Sequence, residues 1–265
     1  MRFLKSTCVL VITFCAMSLS ACSSSKFSNS LDDEKTVAEN PDLQRRVSIR
    51  MQLAVDYFKE GQFKLALEEI RNVISISPQF ANAYSLRALI QMEMNDPQRA
   101  EENFLHALKL DPSNSEIRNN YAWFLCQNGR EKQALPLYDR ILGDRSYPTP
   151  LKAMMSAGVC SLRMKDLNSA EKYFLMAYQL DPMNPSANAN LAKVYYDKSQ
   201  FDKARPFIQR VLKEEIFAAD VLWIAIKIDH KLGDQTSVNN LGTQLRRRHP
   251  NSREFALFQK GAFNE

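Results

Sequence analysis

The residues with most chemistry in them are five cysteines, since a thiolate can be acylated, oxidised to a disulfide or bound to a metal. Metal binding and catalysis lack partners for them. His106 and His230 stand alone, and no His/Cys/carboxylate cluster falls at ligand spacing. No glycine loop is built to cradle a phosphate, and no nucleophile stands in a motif with a partner base. The sequence therefore predicts no enzyme, no metal, no cofactor and no small-molecule substrate. Acylation and disulfide formation remain.

Cys8 and Cys15 lie in an apolar stretch, Cys8 to Leu19, behind the cations Arg2 and Lys5. A positive n-region followed by an apolar segment too short to span a bilayer reads as a signal peptide over residues 1–21. The sequence Leu19-Ser20-Ala21-Cys22 that closes it resembles a bacterial lipobox, in which the cysteine receives a diacylglycerol group and becomes the mature N-terminus. Acyl chains on Cys22 contribute about 0.8 kcal/mol per buried methylene, and two suffice for stable attachment. Ser23, where an Asp would retain such proteins in the inner membrane, favours the periplasmic face of the outer membrane. Residues 22–39 are polar and Ser-rich without apolar periodicity, which predicts a flexible tether reaching roughly 20–25 Å on average. Losing Arg2 and Lys5 lowers the formal charge from +5 by two, to +3, and so mild an excess gives no sign of a nucleic-acid partner.

Behind the tether the chain repeats itself. Small residues recur at Ala54, Ala88, Ala122, Gly158 and Ala192, and again at Ala66, Ala100, Ala134, Ala170 and Ala204, with steps of 34, 34, 36 and 34 in both series. Prolines follow at Pro78, Pro112, Pro182 and Pro250. A 34-residue period with small residues at positions 8 and 20, an aromatic near 24 and proline at 32 is the tetratricopeptide signature. The expected fold is all-α, a solenoid of six helix-turn-helix repeats forming a right-handed superhelix with a concave groove, a surface that binds peptides. The repeats span residues 47–80, 81–114, 115–147, 151–184, 185–218 and 219–252 within a domain of residues 40–252, and residues 253–265 form a capping helix over repeat six. Asn40-Pro41-Asp42 supplies an N-cap, a proline at the first helical position and an acid in the first turn. Positions 8 and 20 must be small because helices approach most closely there, and replacing Ala88 or Ala134 by Leu should cost about 1–3 kcal/mol. The last copy departs from the pattern with Ile226, Val238 and Gly242 at positions 8, 20 and 24.

In this repeat family the concave groove is lined by helix-A positions 2, 5, 9, 12 and 13. That register assigns Met51, Val55 and Phe58 in repeat one, Leu89 and Met92 in repeat two, Asn119 and Trp123 in repeat three, and Met155, Val159 and Leu162 in repeat four. The early groove is thus apolar, and methionine suits a surface that repacks around a partner. Repeats five and six present the more polar set Lys193, Tyr196, Asp197, Trp223, Lys227 and His230. A dicarboxylate clamp needs Lys and Asn where Met51 and Val55 stand, so a C-terminal carboxylate is not the expected handle.

Cys126 and Cys160 fall on the neighbouring A helices of repeats three and four, and in an oxidising periplasm they are expected to form a disulfide. The bond would clamp the one irregular joint, where Asp144 to Pro150 carries the two extra residues. Arg246-Arg247-Arg248-His249 reads as a helix C-terminus complementing its dipole, with Pro250 as the stop.

Asn119-Asn120-Tyr121-Ala122-Trp123-Phe124-Leu125-Cys126, then Gly129-Arg130, Tyr147-Pro148 and Ala157-Gly158-Val159-Cys160, resemble the type IV pilus biogenesis/stability lipoproteins of the PilF/PilW family. The resemblance runs over the whole mature chain. It implies a pilotin of type IV pili and their twitching motility, which binds a hydrophobic segment of the secretin in the early groove, delivers it to the outer membrane through the acyl chains on Cys22 and promotes its multimerisation. An adaptor lipoprotein for cell-wall enzymes or envelope proteases would share anchor and repeats, and the cysteine motifs argue against it.

Overall fold

A computed structural model of the chain describes residues 40–264, so the signal peptide, Cys22 and the tether lie outside the described residues. Thirteen helices follow one another, with no strand among the described residues. They are α1 (Pro41–Lys59), α2 (Phe63–Ile76), α3 (Ala81–Glu93), α4 (Pro97–Leu110), α5 (Ser115–Gln127), α6 (Glu131–Leu142), α7 (Pro150–Arg163), α8 (Leu167–Leu180), α9 (Pro185–Asp197), α10 (Phe201–Lys213), α11 (Ala219–Lys231), α12 (Gln235–Arg248) and α13 (Arg253–Gln259). Each odd-even pair from α1 to α12 is one hairpin of a tetratricopeptide solenoid, and each hairpin packs on the next.

Local chemistry sets these boundaries. Pro41, Pro97, Pro150 and Pro185 open helices, where a missing N–H costs nothing. The side chains of Asn114 and Asn184 cap two A helices, while Asp96, Asp166 and Asp234 cap three B helices. Between the helices of every hairpin one residue turns left-handed: Gly61, Asn95, Gly129, Lys165, Ser199 and Gly233, with φ between 57° and 76°. That series keeps the repeat register, with the same 36-residue step between Gly129 and Lys165, although glycine fills only half of it.

The small residues at positions 8 and 20 are all fully buried from Ala54 to Ala204. Gly158 shows why size matters, because a Cβ there would lie 2.4 Å from the ring of buried Phe174. Repeat six solves the same contact differently. Ile226 and Val238 remain buried, and Gly242 makes room for Phe258 of α13, whose ring would be 2.1 Å from an added Cβ. The capping helix is shorter than the expected span 253–265. It ends at Gln259, Gly261 turns left-handed (φ 66°), and the chain continues as a short tail.

Packing also separates the two ends. Position 3 of helix A is buried at Ala83, Ile117, Ala153, Ala187 and Val221, under the preceding hairpin, whereas Ile49 in repeat one is 50% exposed. Leu53 on the same helix is 40% exposed; among the described residues no hairpin precedes it.

Candidate functional site

Side chains along the A helices build the groove. Met51, Val55 and Phe58 of α1 are half-buried against the first core cluster, and Leu89 and Met92 of α3 against the second. Met155, Val159 and Leu162 of α7 are half-buried against the cluster that continues into the last repeats. Between them, Met92 and Trp123 line a cleft of about 430 Å³ with Glu93, Asn95, Pro97, Gln127 and Asn128. These side chains are anchored at the base and open at the tip, which suits contact with a second chain.

Asn119, expected in the groove, does not line it. It is 1% exposed, and its side-chain carbonyl has no hydrogen-bond partner within the protein. At the same register Ser85 is also buried, while Met51 and Met155 are half-exposed.

The joint between repeats three and four is tied in several places. Cys126 of α5 and Cys160 of α7 are fully buried and paired, with Cα atoms 5.7 Å apart, a separation that a disulfide accommodates. Glu116 at the start of α5 accepts from the Tyr147 hydroxyl at 2.9 Å and pairs with Lys152 of α7. Asp144 accepts from Ser115 at 2.9 Å and from Ser146 at 2.6 Å, and these bonds hold its carboxyl below the usual range. Burial, with the Glu116 contact, pushes the Tyr147 phenol up to about 12. The longer connection is therefore a fixed strap. Sequence reading saw its prolines and missed these polar ties, which no spacing rule announces.

Repeats five and six carry a different surface. A cleft of about 340 Å³ is lined by Lys193 and Asp197 of α9, Asp220, Trp223 and Lys227 of α11, and Glu254 of α13. Burial raises the Asp197 carboxyl pKa and lowers that of the Lys227 ammonium, each opposed by the other's charge. Lys227 also lies over the Tyr196 ring at 4.9 Å and the Trp223 ring at 5.7 Å. Trp223 itself is buried, because Phe263 of the tail stacks on it.

The run at the end of α12 behaves as a helix terminus. His249 Nε2 meets the Phe217 carbonyl at 2.6 Å, and Arg248 lies over the Phe217 ring at 4.4 Å. No group of three potential metal ligands occurs among the described residues, and no helix there is long and apolar enough to cross a membrane.

Known proteins share this fold. A tetratricopeptide repeat family model matches residues 85–149. Type IV pilus assembly protein PilF of Pseudomonas aeruginosa is 28% identical over 247 residues, covering 92% of this chain and 94% of that protein. The crystal structure of PilW, described as a widely conserved type IV pilus biogenesis factor, matches with a TM-score of 0.73 at 29% identity, over 79% of this chain and 96% of that one. The chain is a tetratricopeptide protein of the PilF/PilW family. A solved structure of Pseudomonas aeruginosa PilF matches likewise, with a TM-score of 0.74 at 25% identity over 83% and 99% of the two chains. In this PilF/PilW protein the segments that carried the resemblance form α5, the turn at Gly129 and α7, and so surround the cysteine pair. The family ties its scaffold to type IV pilus biogenesis.

Proposed function

We propose that this PilF/PilW protein is a pilotin: an outer-membrane lipoprotein, acylated on Cys22, that binds the type IV pilus secretin and promotes its delivery and multimerisation. The observation that carries the reading is the row of apolar side chains on α1, α3 and α7, continued by Trp123 on α5, which pack on the core and yet stay partly exposed along the A helices. Met51, Val55, Phe58, Leu89, Met92, Trp123, Met155, Val159 and Leu162 would receive a hydrophobic secretin segment, and the acyl chains would set the destination. The buried pair Cys126 and Cys160 would be a disulfide in the oxidising periplasm, keeping the groove continuous across the longest joint.

Deletion of the gene tests this reading. Surface pili should vanish and the secretin should appear monomeric and misplaced, while cell-wall integrity and bulk outer-membrane proteins stay normal; intact secretin multimers would contradict it. Cys22→Ala should leave the repeats folded and secretin binding intact, and abolish delivery.

A further inference from the structure

The concave face of repeats five and six already holds a ligand-like segment. Phe263 stacks on His230 at 4.1 Å and on Trp223 at 5.8 Å between ring centroids, with Phe258 edge-on at 6.2 Å. The Tyr196 hydroxyl donates to the Phe263 carbonyl at 3.2 Å, and Lys231 Nζ donates to Asn264 Oδ1 at 2.8 Å. Tyr196 is on α9, and Trp223, His230 and Lys231 are on α11, so two successive A helices jointly grip a segment outside the repeats. A ring, a backbone carbonyl and the following side chain are each met by a separate group, which is how a groove reads a peptide. Capping does not require this, since Phe258 already fills the space above Gly242.

We propose that this box is a second peptide site, for an extended partner segment in which an aromatic residue is followed by an acidic one, and that the chain's own Phe263-Asn264 keeps it closed. The acidic preference follows from Lys231, which in the closed state meets a neutral amide oxygen and no carboxylate among the described residues. A carboxylate there would form a charge-assisted hydrogen bond, roughly twice as strong as a neutral one. Such a segment resembles the tail closely enough to occupy its place and binds Lys231 better, so it can displace it. The tail lowers the apparent affinity by the fraction of time it occupies the box.

The test uses the full chain, its Phe263→Ala variant and a fluorescent peptide Lys-Gly-Ala-Phe-Asp-Glu, followed by anisotropy. Phe263→Ala should bind the peptide at least about tenfold more tightly than the unaltered chain, as expected when a competing closed state is removed. Binding should weaken when the peptide carries Asn in place of Asp, and disappear when it carries Ala in place of Phe or when Trp223→Ala is added to the variant. Asn264→Ala removes only the tail's own bond to Lys231, which the peptide's Asp can still make, and should give a smaller gain in the same direction; it serves if Phe263→Ala proves unfolded by circular dichroism. Equal affinity for opened and unaltered chains, or no binding to a folded opened chain, would overturn the proposal. So would concentration-dependent self-association of the unaltered chain that Phe263→Ala abolishes, because the occupant would then be the tail of a second copy.

Discussion

Repeats one to four and repeats five and six expose the same register positions of their A helices and treat them in opposite ways. The early groove is apolar and uncovered, with methionines at Met51, Met92 and Met155. The late groove is aromatic and charged, and the chain's own tail lies in it. The same contrast separates the two ends, for Ile49 and Leu53 are open at one while α13 seals the other. A repeat scaffold therefore does not bind wherever it is concave. What it binds depends on which positions the chain leaves open and on their chemistry, and in this protein the open apolar positions are in the first four repeats.

The largest effect should come from unlinking the halves. Cys126→Ala with Cys160→Ala opens a loop of sequence separation 34, and should cost about 3–4 kcal/mol under oxidising conditions by loop-closure entropy. Because a solenoid's stability is nearly a sum of neighbour contacts, urea unfolding should then separate into an early and a late transition. A single transition with an unchanged midpoint would show that the joint is held by Glu116, Asp144 and Tyr147 alone.

Next in size is a pair of glycine substitutions, one in repeat four and one in repeat six. Gly158→Ala drives a methyl into the fully buried Phe174, and should destabilise by about 1–3 kcal/mol. Gly242→Ala meets Phe258 on the terminal helix, which can give way, so its cost should be about 1 kcal/mol or less. Equal melting shifts would mean that α13 is as firmly packed as the repeat core.

Lys165→Gly should act the other way. Lys165 holds φ 61° where Gly61, Gly129 and Gly233 hold the same turn, so relief of the left-handed cost should stabilise by about 0.5–1 kcal/mol. Denaturant midpoints measure it.

The smallest effect concerns acid. Burial pushes the Glu171 carboxyl up, but hydrogen bonds from Lys198 and Tyr195 outweigh it, leaving the pKa below the ordinary 4.5. A depressed folded pKa contributes stability above the unfolded value, which is lost as pH falls through the folded one. Glu171→Gln should therefore flatten the loss of stability on acidification below pH 4.5, and an unchanged acid limb would contradict that.

Much of this was legible in the sequence because a tetratricopeptide repeat writes its closest contacts as small residues. The small-residue series located the first five hairpins and the 36-residue step located the joint. Burial at a given register was less legible, since it depends on neighbours. Ile49 resembles the buried residues at its position in every other repeat and is exposed for want of a preceding hairpin among the described residues, while Asn119 is buried at a register where Met51 and Met155 are half-exposed. The left-handed series was hidden where Asn95, Lys165 and Ser199 replace glycine. The tail left no sign at all, for Phe263 stands beyond the last helix with no period to announce it.

The central claim is that the uncovered early groove holds the secretin. Its most direct test is capture of the secretin from solubilised envelopes by the unaltered protein and by a Met51→Glu/Phe58→Glu/Met92→Glu variant, with melting curves to establish that the variant folds. These three half-buried side chains reach the groove from two A helices, so the folded variant should retain the late-groove site and lose the secretin. Undiminished capture by the folded variant would contradict the account.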